Sequence, residues 1–275
     1  MLSHFNDLAD FTAEQKNEYR QMTGTFHVWH RRSELPRYAG LMRELASSVK
    51  SEATTSSDIQ QWMADAETFS TSARLCHPVN FSFDLIKSLS DEQINAIEAS
   101  FKEEQTENRE RYDSRTPEER IERRLDNMSK WAKRINIRLS SGQRAMLRSA
   151  FTRQISLRKE YYALSGEWNN KLFALVRDSA NPQFDELLTN HLEQFWTLME
   201  SNHNEQWQEN RNLWRDTVLL LVQSMSDEQR ATASQWLNKM ASTLDSISKY
   251  QPSFEVADDA SIGCLAEPES TASGA

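Results

Sequence analysis

The sequence predicts an all-α fold, an irregular bundle of about eight to ten helices. Glycine is scarce: the chain has 6 glycines and 6 prolines among 275 residues, whereas glycine alone makes up about 7% of an average protein. A chain with so few turn residues is poorly suited to β-hairpins. Apolar residues also recur every three or four positions along most of the chain, which is the period of an amphipathic helix.

Composition divides the chain into three segments and argues against nucleic acid as a partner. The net charge is −9, and nucleic-acid-binding domains are usually basic. We expect residues 1–10 to be a lead-in, residues 11–250 to form a single all-α domain, and residues 251–275 to be a disordered tail, because the last segment is small, polar and aperiodic. That tail contains no Lys or Arg, and its acidic residues are Glu255, Asp258, Asp259, Glu267 and Glu269.

The strongest local signals in the sequence are helix N-termini. Ser90 can cap a helix with its hydroxyl, and Gln93 can reach back to the Ser90 N–H, which together make a capping box. The same pattern, an apolar residue followed by Ser or Thr, two residues and Gln, begins at Phe11, Leu139 and Met225. Starts of this kind, or with proline at the first position, are predicted at Thr12, Ser57 (with Gln60), Ser90, Thr116, Ser140 and Ser226.

Apolar stripes predict how the helices run between these starts. The first helix carries a stripe that reaches Trp29, and Pro36 then kinks or restarts it, because the residue before a proline is pushed out of the α region. The helix from Ser90 turns almost wholly polar over residues 102–111, so we expect this end to project or to pack only lightly. Ser140 is predicted to open the longest helix, which continues past Val176 because no proline interrupts it.

Two segments of the chain resemble each other and suggest an internal duplication. Residues Ile86 to Gln93 align with Val222 to Gln229, and both end in the same cap pattern. Two explanations are open. The chain could descend from a duplicated half, or the capping boxes could have converged because the physics of a helix start is the same everywhere.

Few residues suggest catalysis or metal binding. His27, His30 and Glu34 fall at i, i+3 and i+7 of one helix, a spacing at which two histidines and a carboxylate can share a metal ion. The competing interpretation is a structural His30–Glu34 pair at i, i+4. The sequence has no nucleophile turn and no phosphate-binding loop, and its cysteines, Cys76 and Cys264, have no metal-site spacing. We therefore expect a protein without cofactor or catalytic residues.

The block from Trp29 to Tyr38 is the most distinctive candidate site, made of Trp29, His30, Arg31, Arg32, Glu34, Pro36 and Tyr38. Two roles are open for it, a structural corner and a site for a partner. As a corner, Trp29 and Tyr38 pack a bend at Pro36 against the core. His30, Arg31 and Glu34 then form a polar cluster at the rim. Arg31 and Arg32 are expected near a helix C-terminus, where the helix dipole favours cations.

Two further features could bind a protein partner. Between Arg115 and Arg138 the chain has eight basic and four acidic side chains, so an anionic partner could dock there, although such a run is more often a solvated face. The chain also has 8 tryptophans. Core packing is their default role, but some could line a concave groove for apolar segments of another protein.

The segment from Trp29 to Gly40 reads WHRRSELPRYAG and resembles the hallmark of an uncharacterised family of proteobacterial envelope lipoproteins, domain-of-unknown-function family 6279. The helix start at Phe11 to Gln15, the block at Ser88 to Gln93 and the segment Pro117 to Arg120 are also similar to that family. The resemblance covers about residues 11–250. The caps are similar, more weakly, to the LTxxQ motif of Spy/CpxP-type periplasmic proteins.

The resemblance implies an all-helical protein that faces the periplasm and is held by a lipid on an N-terminal cysteine. Met1 to Asp10 contains neither such a cysteine nor a signal peptide. The native start could lie upstream, the leader could have been removed, or this member is not lipidated. The expected function is non-enzymatic protein binding, or a chaperone-like role, in the cell envelope. The alternative is a metal-binding protein or an enzyme that uses His27, His30 and Glu34.

Overall fold

The computed structural model describes residues 8–51, 53–77 and 82–250. Within these ranges the chain forms α-helices joined by short turns, one π-helical turn (His30–Glu34) and no β-strand, which confirms the all-α prediction. The helices are α1 (Ala13–Trp29), α2 (Leu35–Ser51), α3 (Ser56–Leu75), α4 (Phe83–Lys87), α5 (Asp91–Asp113), α6 (Pro117–Arg134), α7 (Ser141–Arg153), α8 (Arg158–Arg177), α9 (Phe184–Asn202), α10 (Asn204–Gln223) and α11 (Asp227–Ser248). The predicted disordered tail, residues 251–275, lies outside the described residues.

Five predicted helix starts are confirmed as complete capping boxes. In each, the side chain of the cap residue accepts from the third helical N–H, and the residue at that third position reaches back to the cap; the caps are Thr12, Ser90, Thr116, Ser140 and Ser226. The box predicted at Ser57 is wrong. Thr55 caps α3 instead, and its N–H donates to the Asp58 carboxylate over 2.7 Å. A carboxylate is a stronger acceptor than the amide of Gln60.

Pro36 does not end the helix in the block from Trp29 to Tyr38, which we call the signature block. α1, the π-helical turn and α2 form one continuous rod from Ala13 to Ser51. The N–H of Leu35 donates to the carbonyl of His30, five residues back, and this wider turn takes up a proline that has no N–H to give. Arg31 and Arg32 therefore lie inside a rod, and the prediction that they sit near a helix C-terminus is wrong.

The longest predicted helix is broken in two. α7 ends before Gln154, whose ψ of 125° is extended, and α8 begins at Arg158. The side chain of Asn210 in α10 stabilises this break. Its Oδ1 accepts from the Ile155 N–H and its Nδ2 donates to the Ile155 carbonyl, both over 2.9 Å. A side chain 55 positions away thus replaces the backbone bonds that a continuous helix would make.

The helices bury several small cores rather than one large one. The most extensive helix pair is α2 with α11, while α8 packs on α9 and on α5, and α10 packs on α3 and α7. The buried clusters are Leu41–Ile59–Trp62, Val49–Ile137–Ala233, Ile94–Phe173–Val176 and Leu125–Leu147–Phe151. The polar end of α5 packs lightly, as predicted, through contacts such as Gln105 Nε2 to Ser165 Oγ at 3.0 Å.

The glutamines of the capping boxes also join distant parts of the chain. Gln15 Nε2 donates to Gln93 Oε1 over 3.1 Å, and Gln93 Nε2 donates back to Gln15 Oε1 over 2.8 Å. Gln15 also donates to the carbonyl of Ser88, and Gln93 to that of Asp10. Two helix N-termini, those of α1 and α5, are held together by this pair.

The same junction occurs a second time. Gln143 Nε2 donates to Gln229 Oε1 and Gln229 Nε2 donates to Gln143 Oε1, both over 3.0 Å. Gln143 also donates to the carbonyl of Ser224, and Gln229 to that of Arg138. Each partner occupies the place that its counterpart holds in the first junction. The repeated geometry extends the similarity seen in the sequence, and descent by duplication stays a prediction.

Candidate functional site

The signature block packs an aromatic cluster between the rod and α3. Trp29 is 6% exposed, and the half-buried Tyr38 ring lies 4.8 Å from Phe69 of α3 and 5.6 Å from the His30 ring. Arg37 stacks on the same Phe69 at 5.0 Å. Arg32 and Pro36 are exposed. The structural role predicted for Trp29 and Tyr38 fits these contacts, while a role as a partner site stays a prediction.

Glu34 does not lie at the rim of the block. Its side chain is 2% exposed, and its Oε1 accepts from Arg37 Nη1 at 2.8 Å and from Ser72 Oγ at 3.3 Å. The expected rim cluster of His30, Arg31 and Glu34 is therefore wrong, because the π-helical turn carries Glu34 inward against α3. Burial, followed by the nearby Glu34 carboxylate, raises the pKa of Tyr38.

The alternative metal site finds no support at this corner. Glu34 Oε1 already accepts from Arg37 and Ser72. In the described ranges, no three His, Cys, Asp or Glu side chains are grouped so that they could hold a metal ion. Burial lowers the pKa of both His27 and His30, so both rings favour the neutral form.

A broad groove, here called the aromatic groove, lies between helices in the described part of the chain, and the tryptophan count was its main sign in the sequence. It has two halves of about 980 and 970 Å³ that meet at Glu67, Tyr161 and Trp196. One half runs between α3, α5, α8 and α9; the other is bounded by α3, α6, α9, α10 and the break between α7 and α8. The aromatic residues along both halves are Phe101, Tyr112, Phe151, Tyr161, Tyr162, Trp168, Phe195, Trp196, Trp207 and Trp214.

Stacked rings hold the centre of the groove in place. Phe195 lies edge-on to both Tyr161 and Trp196, with centroids 5.7 and 5.3 Å apart. Deeper in, Trp168 stacks on His191 at 4.6 Å, and its Nε1 donates to the His191 carbonyl over 3.0 Å. Offset and edge-to-face pairs of this kind favour fixed ring positions. Trp196 is nevertheless 42% exposed, so it offers a rigid apolar surface.

The two halves carry opposite charge. The first, here called the acidic half, is lined by Glu104, Glu193 and Glu200, with Arg74 as the one arginine that the described residues place there. The second, here called the arginine half, is lined by Arg120, Arg124, Arg158 and Arg211, and Glu67 is its only carboxylate among the described residues. Glu67 is already engaged, because Arg211 Nη2 lies 2.8 Å from both of its oxygens.

Three arginines of the arginine half lack a carboxylate partner in the part of the chain that the structure describes. Arg120 donates to the Tyr112 carbonyl over 3.1 Å and stacks on that ring at 4.3 Å. Arg124 donates to Gln154 Oε1 and stacks on Phe151 at 4.0 Å, and burial lowers its pKa. Arg158 lies 5.5 Å from the Tyr112 ring. We call Arg120, Arg124 and Arg158 the arginine trio.

Sequence reasoning reached only part of this site. Arg120 and Arg124 belong to the basic run between Arg115 and Arg138, for which the sequence leaves open an anionic partner or a solvated face. Arg158 and Arg211 come from α8 and α10 and carry no local signal. The default core role for tryptophan is wrong for Trp196 and for Trp131, which are 42% and 54% exposed. Trp131 packs edge-on against Trp236 at 5.7 Å.

Comparison with known proteins identifies a family. None of the described helices combines the length and apolar character needed to span a bilayer. Searches among curated proteins and among solved structures returned no match. A family model described as "Family of unknown function (DUF6279)" matches residues 7–201, a stretch that contains the rod, the signature block and most of the aromatic groove. The chain therefore belongs to DUF6279, a family of unknown function.

Proposed function

We propose that this protein is a non-enzymatic binding protein whose aromatic groove holds segments of other proteins that carry carboxylates beside apolar side chains. The observation that supports this most is the arginine trio, which faces the groove without a carboxylate partner among the described residues. A guanidinium group that lies against an aromatic ring, as those of Arg120 and Arg124 do, still gains from a charged acceptor. An acidic side chain of a bound segment would supply one.

The lining of the groove favours a protein ligand over other anions. Trp, Tyr and Arg dominate binding hot spots between proteins because they combine large contact area with directional polar groups. The net charge of −9 disfavours nucleic acid. Each half has a volume of nearly 1,000 Å³, the upper end of the range for small-molecule sites, and the two share Glu67, Tyr161 and Trp196 in their linings. A polypeptide segment fits this shape better than a small metabolite.

We place this activity at the periplasmic face of the cell envelope, with a chaperone-like role toward unfolded segments. The resemblance of the Trp29 to Gly40 segment to envelope lipoproteins supports this proposal. Attachment to the membrane would then be through a lipid on an N-terminal cysteine, as the resemblance implies. Expression from genomic DNA that includes the upstream region, followed by fractionation and globomycin treatment, tests it. A product found only in the cytoplasm would contradict the proposal.

Peptide binding tests the groove directly. Fluorescence anisotropy would compare a labelled peptide that alternates Asp with Phe and Leu against the same peptide with Lys in place of Asp. We expect the acidic peptide to bind more tightly. Arg124→Gln and Arg158→Gln should each weaken its binding roughly 10-fold, which is about 1.4 kcal/mol.

Arg123→Gln is the matched control. Arg123 lies on α6 beside Arg124 but lines a separate surface depression with Asp126 and Lys130. Loss of the same charge there should leave the affinity nearly unchanged. Equal weakening by Arg123→Gln and Arg124→Gln would show that net charge, rather than the groove, decides binding.

An aggregation assay with a denatured client protein tests the chaperone-like role. Suppression of aggregation by the wild type, but not by Arg158→Gln, would support it.

A further inference from the structure

The segment that follows the last helix has the chemistry that the arginine half lacks. Residues 251–275 contain five acidic side chains and no Lys or Arg. Apolar residues alternate with these acids, namely Phe254, Val256, Ile262 and Leu265. The arginine half offers the complement, three guanidinium groups without carboxylate partners among the described residues and a wall of aromatic rings.

The described chain ends close to an element that borders the groove. Tyr250 lies under the Arg31 guanidinium, 5.8 Å from ring centroid to Cζ, at the π-helical turn. The same middle part of the rod contacts α3 through Arg37 on Phe69, at 5.0 Å. Glu67 precedes Phe69 by two residues, about 3 Å along the helix axis, and borders both halves of the groove.

The remaining chain is long enough to reach the arginine trio. Residues 251–275 number 25, and that many residues span at most about 80–90 Å when fully extended. For comparison, α3, which contributes Met63 and Glu67 to the arginine half, has 20 residues, about 30 Å of helix. Covalent connection also makes the encounter intramolecular, which removes most of the entropic cost of association.

We propose that residues 251–275 of this chain occupy the arginine half of the aromatic groove, with their carboxylates on the arginine trio and their apolar side chains on the adjoining rings. This inference rests on the proposed function, because both place a segment with carboxylates and apolar side chains in the same groove. The tail is then an internal ligand that a segment of another protein must displace. Competition from the tail therefore lowers the apparent affinity for other proteins.

Photo-crosslinking from Cys264 tests where the tail lies. Cys264 is in the tail, and the other cysteine, Cys76, is buried, so a benzophenone maleimide reacts selectively with Cys264 in the folded full-length chain. After irradiation, peptide mass spectrometry maps the crosslinks. We expect them on α6, on α8 and in the break between α7 and α8. Crosslinks confined to other surfaces would overturn the inference.

Charge variants show whether the tail carboxylates contact the arginine trio. The full-length chain with Glu255→Gln, Asp258→Asn, Asp259→Asn, Glu267→Gln and Glu269→Gln should lose groove crosslinks at least 5-fold. Arg120→Gln combined with Arg158→Gln should do the same, whereas Arg123→Gln should not. Circular dichroism of each variant checks that it is folded. Undiminished groove crosslinks in the neutralised-tail chain would overturn the inference.

A binding measurement separates this inference from the proposed function. The neutralised-tail chain should bind the acidic, apolar peptide at least 5-fold more tightly than the wild type, because its internal competitor is weakened. Equal, measurable affinities in the two chains would overturn tail docking and leave the proposed function standing. Groove crosslinks from Cys264 together with no peptide binding by the neutralised-tail chain would sustain tail docking and contradict the proposed function.

Discussion

The side-chain amides of Gln15 and Gln93 donate hydrogen bonds to each other, although the residues are 78 positions apart. Each Oε1 also accepts from the N–H of its own cap residue, Thr12 or Ser90, over 2.9 Å. One amide thus closes a local capping box with its oxygen and a tertiary junction with its nitrogen. Only Gln, and not Glu, can do both, because the second task requires a donor.

We expect Gln93→Glu to destabilise the fold by roughly 2–4 kcal/mol. The carboxylate could still close the capping box, but it would lose the donor to Gln15 and Asp10 and place a charge at a buried site. Urea denaturation measures the change. The control is the reverse swap, Glu119→Gln, in the exposed box of α6, which should cost less than about 1 kcal/mol. Similar losses in the two variants would contradict the role given to the junction.

Trp29→Ala should cost roughly 3–5 kcal/mol, the range for truncation of a buried large aromatic side chain. Trp29 is 6% exposed and packs near Phe26, with ring centroids 5.6 Å apart. Arg31→Ala, two residues on, should cost under about 1 kcal/mol because Arg31 is only partly buried. An unchanged denaturation midpoint for Trp29→Ala would mean that the block is a recognition surface and not a structural corner.

Asn210→Ala should destabilise the break between α7 and α8 by roughly 2–3 kcal/mol. The substitution leaves the N–H and the carbonyl of Ile155 without their partners, and each unsatisfied buried group costs about 1–3 kcal/mol. Hydrogen exchange should show faster exchange of the Ile155 amide. Asn212→Ala, at an exposed position of the same helix, is the control and should change neither quantity.

Stability should fall as the pH is lowered from 7 to 5, and His191 should contribute to this fall. Burial beside Trp168 lowers the pKa of His191, and the hydrogen bond to the Trp168 carbonyl opposes the shift only in part. In this window the unfolded state binds more protons than the folded state, so the free energy of unfolding decreases as the pH falls.

Urea denaturation at several pH values measures the effect of His191. The wild type should lose stability between pH 7 and pH 5 more steeply than His191→Gln, because Gln does not titrate. His191→Gln also loses the ring stack on Trp168, and that loss of stability is the same at every pH. Comparing the slopes of unfolding free energy against pH, rather than the free energies themselves, removes it. Parallel slopes in the two proteins would show that His191 binds protons equally in the folded and unfolded states, and so that folding does not lower its pKa.

The sequence by itself determined the helices and most of their starts. A capping box involves four consecutive residues, so Thr12, Ser90, Thr116, Ser140 and Ser226 could be assigned without any knowledge of packing. Scarce glycine and a helical apolar period likewise determined the all-α class. The WHRRSELPRYAG segment indicated the family because it is contiguous in the chain.

Tertiary structure alone decided what lies far apart in the chain. Asn210 breaks a helix whose local sequence favours continuity, and the π-helical turn places Glu34 inside where its spacing predicted a rim. The arginine trio is assembled from α6 and α8, and how the helices pack decides which carboxylates of the described residues lie near it. Such hydrogen bonds and charge pairs exist only after the helices have packed, because the energy of each depends on distance and burial rather than on neighbours in sequence.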